Sequence, residues 1–195
     1  MTSRLRIIAP AALAIASLLL PTVAAAQSFG VHGGATYSEY KFETPAIATE
    51  GLWGGTGGVF VILGGRGPFG GIIEANWARK GTKTPGGTEI TVDYLEIPIA
   101  ARLTFGPGDL RIFALGGGTF GFKLSAKQNG APIFEDLDED IDGWEHGVLA
   151  GGGIEYKQLV VSGRYTWGTR DISDRPIEAY NRGWTFLVGV KLLGN

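Results

Sequence analysis

Apolar and polar side chains alternate with a period of two along most of this chain, as expected of extended strands whose two faces meet different surroundings. The clearest segment runs over about 89–105. There Leu95, Ile97, Ile99, Ala101, Leu103 and Phe105 interleave with Glu96, Pro98, Ala100, Arg102 and Thr104. The segment at about 28–41 sets Phe29, Val31, Gly33, Ala35 and Tyr37 against Gly30, His32, Gly34, Thr36 and Ser38. The pattern recurs at about 159–171, with Leu159, Val161, Gly163, Tyr165 and Trp167 on one face, and at about 181–193, with Trp184, Phe186, Val188, Val190 and Leu192. Weaker alternation at about 51–63, 69–81, 110–126 and 143–157 brings the expected number of strands to eight.

Short and long connections alternate between these strands. Gly64–Pro68, Gly106–Asp109 and Lys157–Gln158 are tight, whereas about 42–50, 82–88, 127–142 and 172–180 are longer. Short turns at one end and longer loops at the other are the pattern of an outer-membrane barrel. A soluble ligand-binding barrel also alternates, but with its apolar face inward. Here the bulky aliphatic rows oppose faces rich in Gly, Ser, Thr, Glu, Arg and Lys. Eight strands enclose a lumen only just wide enough for side chains. The aliphatic rows therefore suit lipid and the small or charged rows suit the interior. The expected fold is all-β: a closed, antiparallel, eight-stranded, up-and-down transmembrane barrel over residues 27–195.

The tryptophans bear on the same choice. Trp53, Trp77, Trp144, Trp167 and Trp184 all fall at the long-loop end of their strands, as an interfacial aromatic belt requires. Phe29, Phe69, Phe105 and Tyr156 would form a weaker girdle at the other end.

Residues 1–26 read as a cleaved export signal. Arg4 and Arg6 precede an apolar stretch from Ile7 to Leu20, and Ala24-Ala25-Ala26 is a small-residue cleavage site. Localisation in the bacterial outer membrane follows from this leader and the barrel pattern. With no Cys, disulfide staples, thiolate metal sites and cysteine nucleophiles are excluded. A net charge of −2 gives no footprint for nucleic acid. Thirty-three glycines weigh against a helical protein.

Strand parity places Glu74, Glu96, Glu145 and Glu155 in the lumen with Arg102, Arg111, Lys123, Arg164 and Lys191. Opposite charges in near balance suggest an ion-paired plug that fixes register, since a buried unpaired charge is costly. A proton or ion path is the competing reading. In the third long loop, Asp138, Asp140, Asp142 and Gly143 match the start of a calcium loop, yet the twelfth position is Leu149 rather than Glu. Weak Ca2+ binding and a simply solvated acidic loop are the two readings; no other cofactor is expected. His146 beside Glu145 invites comparison with lipid-modifying barrel enzymes, but no serine is placed near them by local spacing. His32 falls on the lumen face. Gly116–Gly118 and Gly151–Gly153 lie within strands and precede no helix, so they are not phosphate loops.

The run Tyr94-Leu95-Glu96-Ile97-Pro98, followed by Arg102-Leu103-Thr104-Phe105, resembles the fourth-strand signature of the PorT-like outer-membrane β-barrel family. Trp77–Gly81, Gly30–Ser38 and Arg164–Gly168 are similar to other parts of that family. The resemblance implies an eight-stranded outer-membrane barrel of the kind also labelled "porin family", one branch of which assists protein secretion. It brings no catalytic residues. The chain departs from the usual terminal aromatic of such barrels by ending Leu192-Leu193-Gly194-Asn195. The expected role is non-enzymatic: structural, or interacting through the external loops. The expected partners are outer-membrane lipid, the barrel-assembly machinery during biogenesis, and an unidentified protein or surface ligand. A narrow porin for water or small solutes and a lipid-modifying enzyme are the alternatives.

Overall fold

In a computed structural model of the chain, residues 26–42, 50–64, 67–84, 86–132, 143–169 and 179–194 are described. Eight long antiparallel strands follow one another: β1 (Ala26–Phe42), β2 (Glu50–Gly64), β3 (Phe69–Lys83), β4 (Glu89–Phe105), β5 (Leu110–Gln128), β7 (Trp144–Tyr156), β8 (Leu159–Gly168) and β9 (Ala179–Leu193). Each pairs with its sequence neighbours, and β1 pairs with β9 from Phe29↔Leu193 to Phe42↔Ala179. The sheet is therefore a closed eight-stranded barrel with no free edge in its wall, and every long strand has a hydrogen-bonded neighbour on both sides. The alternation in the sequence arises from this closure, because one face of every strand must look into the lumen.

A ninth element, β6 (Ala131–Pro132), was not expected from the sequence pattern. It folds back on Lys127 and Gln128 through Asn129 (φ 50°) and Gly130 (φ 81°). Two successive positive φ values are what a two-residue hairpin turn of type I′ needs, and Asn-Gly is its favoured pair. The turn is tied to the start of β4, where Asn129 Oδ1 accepts a hydrogen bond from the Glu89 amide at 2.9 Å.

Among the irregularities of the wall, two lie along β4. Pro98 lies in mid-strand, and the β3–β4 ladder passes from Ile73↔Ile99 directly to Asn76↔Glu96 around it, as expected for a residue with no N–H to donate. Between Lys123 and Ser125 the β4–β5 register slips by one residue, which leaves Leu124 exposed and turns Ser125 outward and Ala126 inward.

The outer wall carries the expected apolar rows, including Val31, Ile99, Leu103, Ile112, Val148, Ile154, Val161, Val188 and Leu192, most of them well exposed. The lumen departs from the expected pattern. It is not filled by small and charged residues alone, because Phe60, Ile62, Ile72, Ala100, Phe113, Leu115 and Leu149 form a buried apolar cluster inside it. The reason lies in β2, where Val59–Leu63 is apolar on both faces and periodicity cannot assign an inside. Glycines on facing strands make the room. A Cβ on Gly153 would lie 2.6 Å from Phe113 Cζ, and one on Gly30 would lie 2.7 Å from Phe60 Cε1.

Candidate functional site

The chemistry-bearing side chains of the described residues converge in the lumen, where even-numbered positions of β3 and β4 and odd-numbered positions of β5 and β7 point inward. Three groups form, stacked along the barrel. Nearest the long-loop end, Lys80 Nζ lies 2.5 Å from Glu96 Oε1 and 2.6 Å from Glu145 Oε1, and Asn181 Nδ2 donates to Glu145 Oε2 at 2.9 Å. Lys80 also sits 5.4 Å from the centre of the Tyr94 ring. All four polar residues are buried. In the middle, Arg164 Nη1 donates to Glu74 Oε2 at 2.7 Å, and Asn76 Nδ2 donates to the same oxygen at 2.8 Å. His32 Nε2 completes this group, 2.6 Å from Asn76 Oδ1, with its ring stacked on Phe60.

The third group lies at the short-turn end. Glu155, only 1% exposed, is shared by three cations: Arg102 Nη2 at 2.8 Å, Arg111 Nε at 3.6 Å and Lys191 Nζ at 3.9 Å. The Arg102 guanidinium also covers the Phe113 ring at 4.2 Å, which joins this group to the apolar cluster. Lys123 stands opposite Tyr94 in the β4–β5 register, and its amide donates to the Gly143 carbonyl at 2.9 Å.

Lys80, Asn76 and Asn181 were not singled out in the sequence. The strand at 69–81 puts Lys80 on the same parity as Glu74, so the signal was present. The partners of these residues depend on inter-strand register, which strand parity does not supply.

On the outer wall, Trp53, Trp77, Trp144, Trp167 and Trp184 are all exposed and lie toward the long-loop ends of their strands. Several are joined by ring contacts: Tyr37 to Trp53, Tyr165 to Trp167 and Trp184, and Trp184 to Phe186. Two residues beyond Trp77, on the loop side of this belt, Arg79 makes a bidentate pair with Asp93 at 2.8 and 3.0 Å. Those hydrogen bonds, with one from the Ser125 hydroxyl, outweigh partial burial and hold the Asp93 carboxyl below its ordinary value. The pair is largely solvated on its Arg79 side and contributes at most about 1 kcal/mol.

Glu145 and His146 do not form a dyad. Consecutive strand residues face opposite sides: Glu145 is buried in the lumen against Lys80, while His146 Nδ1 lies 2.8 Å from Thr169 Oγ1 and its ring contacts Trp144. Asp138, Asp140 and Asp142 lie outside the described residues, and so do residues 1–25. Among the described residues, no three His, Asp or Glu side chains converge as a metal site.

Comparison with known proteins bears on the whole assembly. No curated protein matches the chain. Among solved structures it is similar to Neisserial surface protein A, at 12% identity over 84% of this chain and 97% of that one, with a TM-score of 0.54. It is also similar to Ail, the attachment invasion locus protein of Yersinia pestis, at 13% identity over 85% and 98% of the two chains, with a TM-score of 0.47. The outer membrane protein OprG from Pseudomonas aeruginosa matches at 10% identity over 85% and 94%, also with a TM-score of 0.47. At 12% identity the likeness to Neisserial surface protein A speaks to fold alone. A family profile described as "Outer membrane protein beta-barrel domain" matches residues 25–174, more than half of the sequence, and the chain belongs to that family.

Proposed function

We propose that this outer-membrane barrel neither conducts nor catalyses, and that its plugged body anchors long external loops that engage a surface ligand or a protein partner. The observation that carries this reading is the filled lumen. Two cavities inside it, lined by described residues, measure about 20 Å³ each and share no lining residue. A water molecule needs roughly 10–15 Å³ on this measure, so each cavity holds one or two waters rather than a column. Ion-paired Lys80, Glu74 and Glu155 occupy the rest together with the Phe60–Phe113 cluster. This arrangement favours the anchor over the narrow porin. The opposed orientations of Glu145 and His146 weigh against the lipid-modifying enzyme.

The same reading includes export by the leader at 1–26 and delivery by the barrel-assembly machinery. The Tyr94–Pro98 run supports a PorT-like branch, in which a secretion component is the partner to look for. Weak Ca2+ binding by Asp138, Asp140 and Asp142 is a proposal on the same footing, resting on their spacing alone.

Reconstitution into planar bilayers tests the central point. The protein should give no stepwise current, and Arg102→Ala should lower the melting temperature while leaving the current at baseline. Reproducible unitary conductance from the unaltered protein would refute the reading.

A further inference from the structure

We propose that the short-turn mouth of the barrel is a binding site for a doubly charged phosphate-type oxyanion, held by Arg111, Lys157 and Lys191. The mouth opens as a cavity of about 560 Å³ lined by these three cations together with Asp109, Gln158 and backbone at Gly108 and Gly194. In this barrel class the short turns face the periplasm.

The first argument is charge. Arg102, Arg111, Lys157 and Lys191 meet only Glu155 and Asp109 at this end among the described residues, which leaves an excess of two positive charges. The other two lumen groups show no such excess of cations: one lysine meets two carboxylates in the first, and one arginine meets one carboxylate in the second. A phosphate dianion would neutralise the excess.

The second argument is unused hydrogen-bonding capacity. Lys191 lines the cavity and is held there only by a loose ion pair, its Nζ 3.9 Å from Glu155 Oε2. Arg111 Nε is buried and has no hydrogen-bond partner, because its approach to Glu155 is 3.6 Å. Buried donors of this kind are normally satisfied, and cations with free donors are suited to phosphate oxygens. The third argument is room. The internal cavities of the lumen hold a water or two, whereas this one accommodates a phosphoryl group and what it is attached to.

The phosphoryl group could belong to a soluble anion or to a lipid headgroup, and one titration separates them. The full chain, folded in phosphate-free dodecyl maltoside, is titrated with inorganic phosphate while backbone amide NMR shifts are followed. Saturable shifts confined to residues 108–111, 157–158 and 191–194 are expected. Lys157→Gln, in an exposed turn where folding is not at stake, and Arg111→Gln should each weaken the response about tenfold. Nanodiscs containing phosphatidic acid, whose monoester phosphate can carry two charges, with no added phosphate, then identify the source. The same shifts present from the start indicate a headgroup, and shifts that appear only on adding phosphate indicate a soluble anion. A response that does not saturate, that sodium chloride reproduces at matched ionic strength, or that both variants retain unchanged would overturn the proposal.

Discussion

Replacing Glu155 by alanine should lower the stability of the barrel by about 3–5 kcal/mol, read from the urea midpoint for folding into lipid vesicles. The residue is almost wholly buried and is the carboxylate that Arg102, Arg111 and Lys191 share. Without it, three cations would crowd one end of a narrow lumen, with Asp109 at the mouth the one carboxylate left there among the described residues. Leaving buried charges uncompensated is far worse than never having built the pair. The loss should shrink when Arg102→Met is added to Glu155→Ala, because that cation is both buried and closest to the carboxylate. A midpoint within about 1 kcal/mol of the unaltered protein would show that solvent, rather than Glu155, balances this group.

The second large effect concerns the outer wall. Val188→Arg should destabilise the barrel by about 2–4 kcal/mol in vesicles, the range for a cation on the lipid face near the bilayer midplane. Val188 is 55% exposed and lies on β9 midway between Trp184 and Leu192. Its neighbour Leu187 is 3% exposed and looks into the lumen. On a water-facing wall the same substitution would fall within about 0.5 kcal/mol of neutral. A null result at Val188 would therefore place water where the barrel's lipid is expected.

The strands were legible because closure forces every one of them to present two unlike faces. The segment expected at about 89–105 is β4, residue for residue, and those at about 28–41 and 181–193 fall within two residues of β1 and β9. The segment at about 159–171 begins with β8 at Leu159 and runs past its end at Gly168; its last two residues lie outside the described ones. Connection lengths carried the up-and-down order. The interior was harder to read. Where both faces are apolar, as over Val59–Leu63, alternation does not distinguish lumen from lipid, and the cluster of Phe60, Ile62 and Phe113 went unseen. The hairpin at Asn129-Gly130 lies inside the long connection expected at about 127–142, although Asn-Gly is a strong turn signal.

The candidate site was readable by side and unreadable by partner. Parity puts Glu74, Arg164, Glu96 and Glu145 on one face of their strands. That Glu145 meets Lys80, 65 positions earlier in the chain, follows from how the strands tilt and stagger around the barrel. The one-residue slip at Lys123–Ser125 also reverses parity partway along β5, which no count along the sequence would detect.

The seam between β1 and β9 sets the order in which this molecule can be made. Residues 29–42 find their second neighbour only in residues 179–193, at the far end of the polypeptide. Until that last stretch has arrived, the first strand exposes an unsatisfied edge that could recruit a wrong partner. The final hairpin is thus a latch, and contacts this distant in sequence are slow to form unaided. An escort that shields the opening strand while the remainder queues behind it would act at this seam.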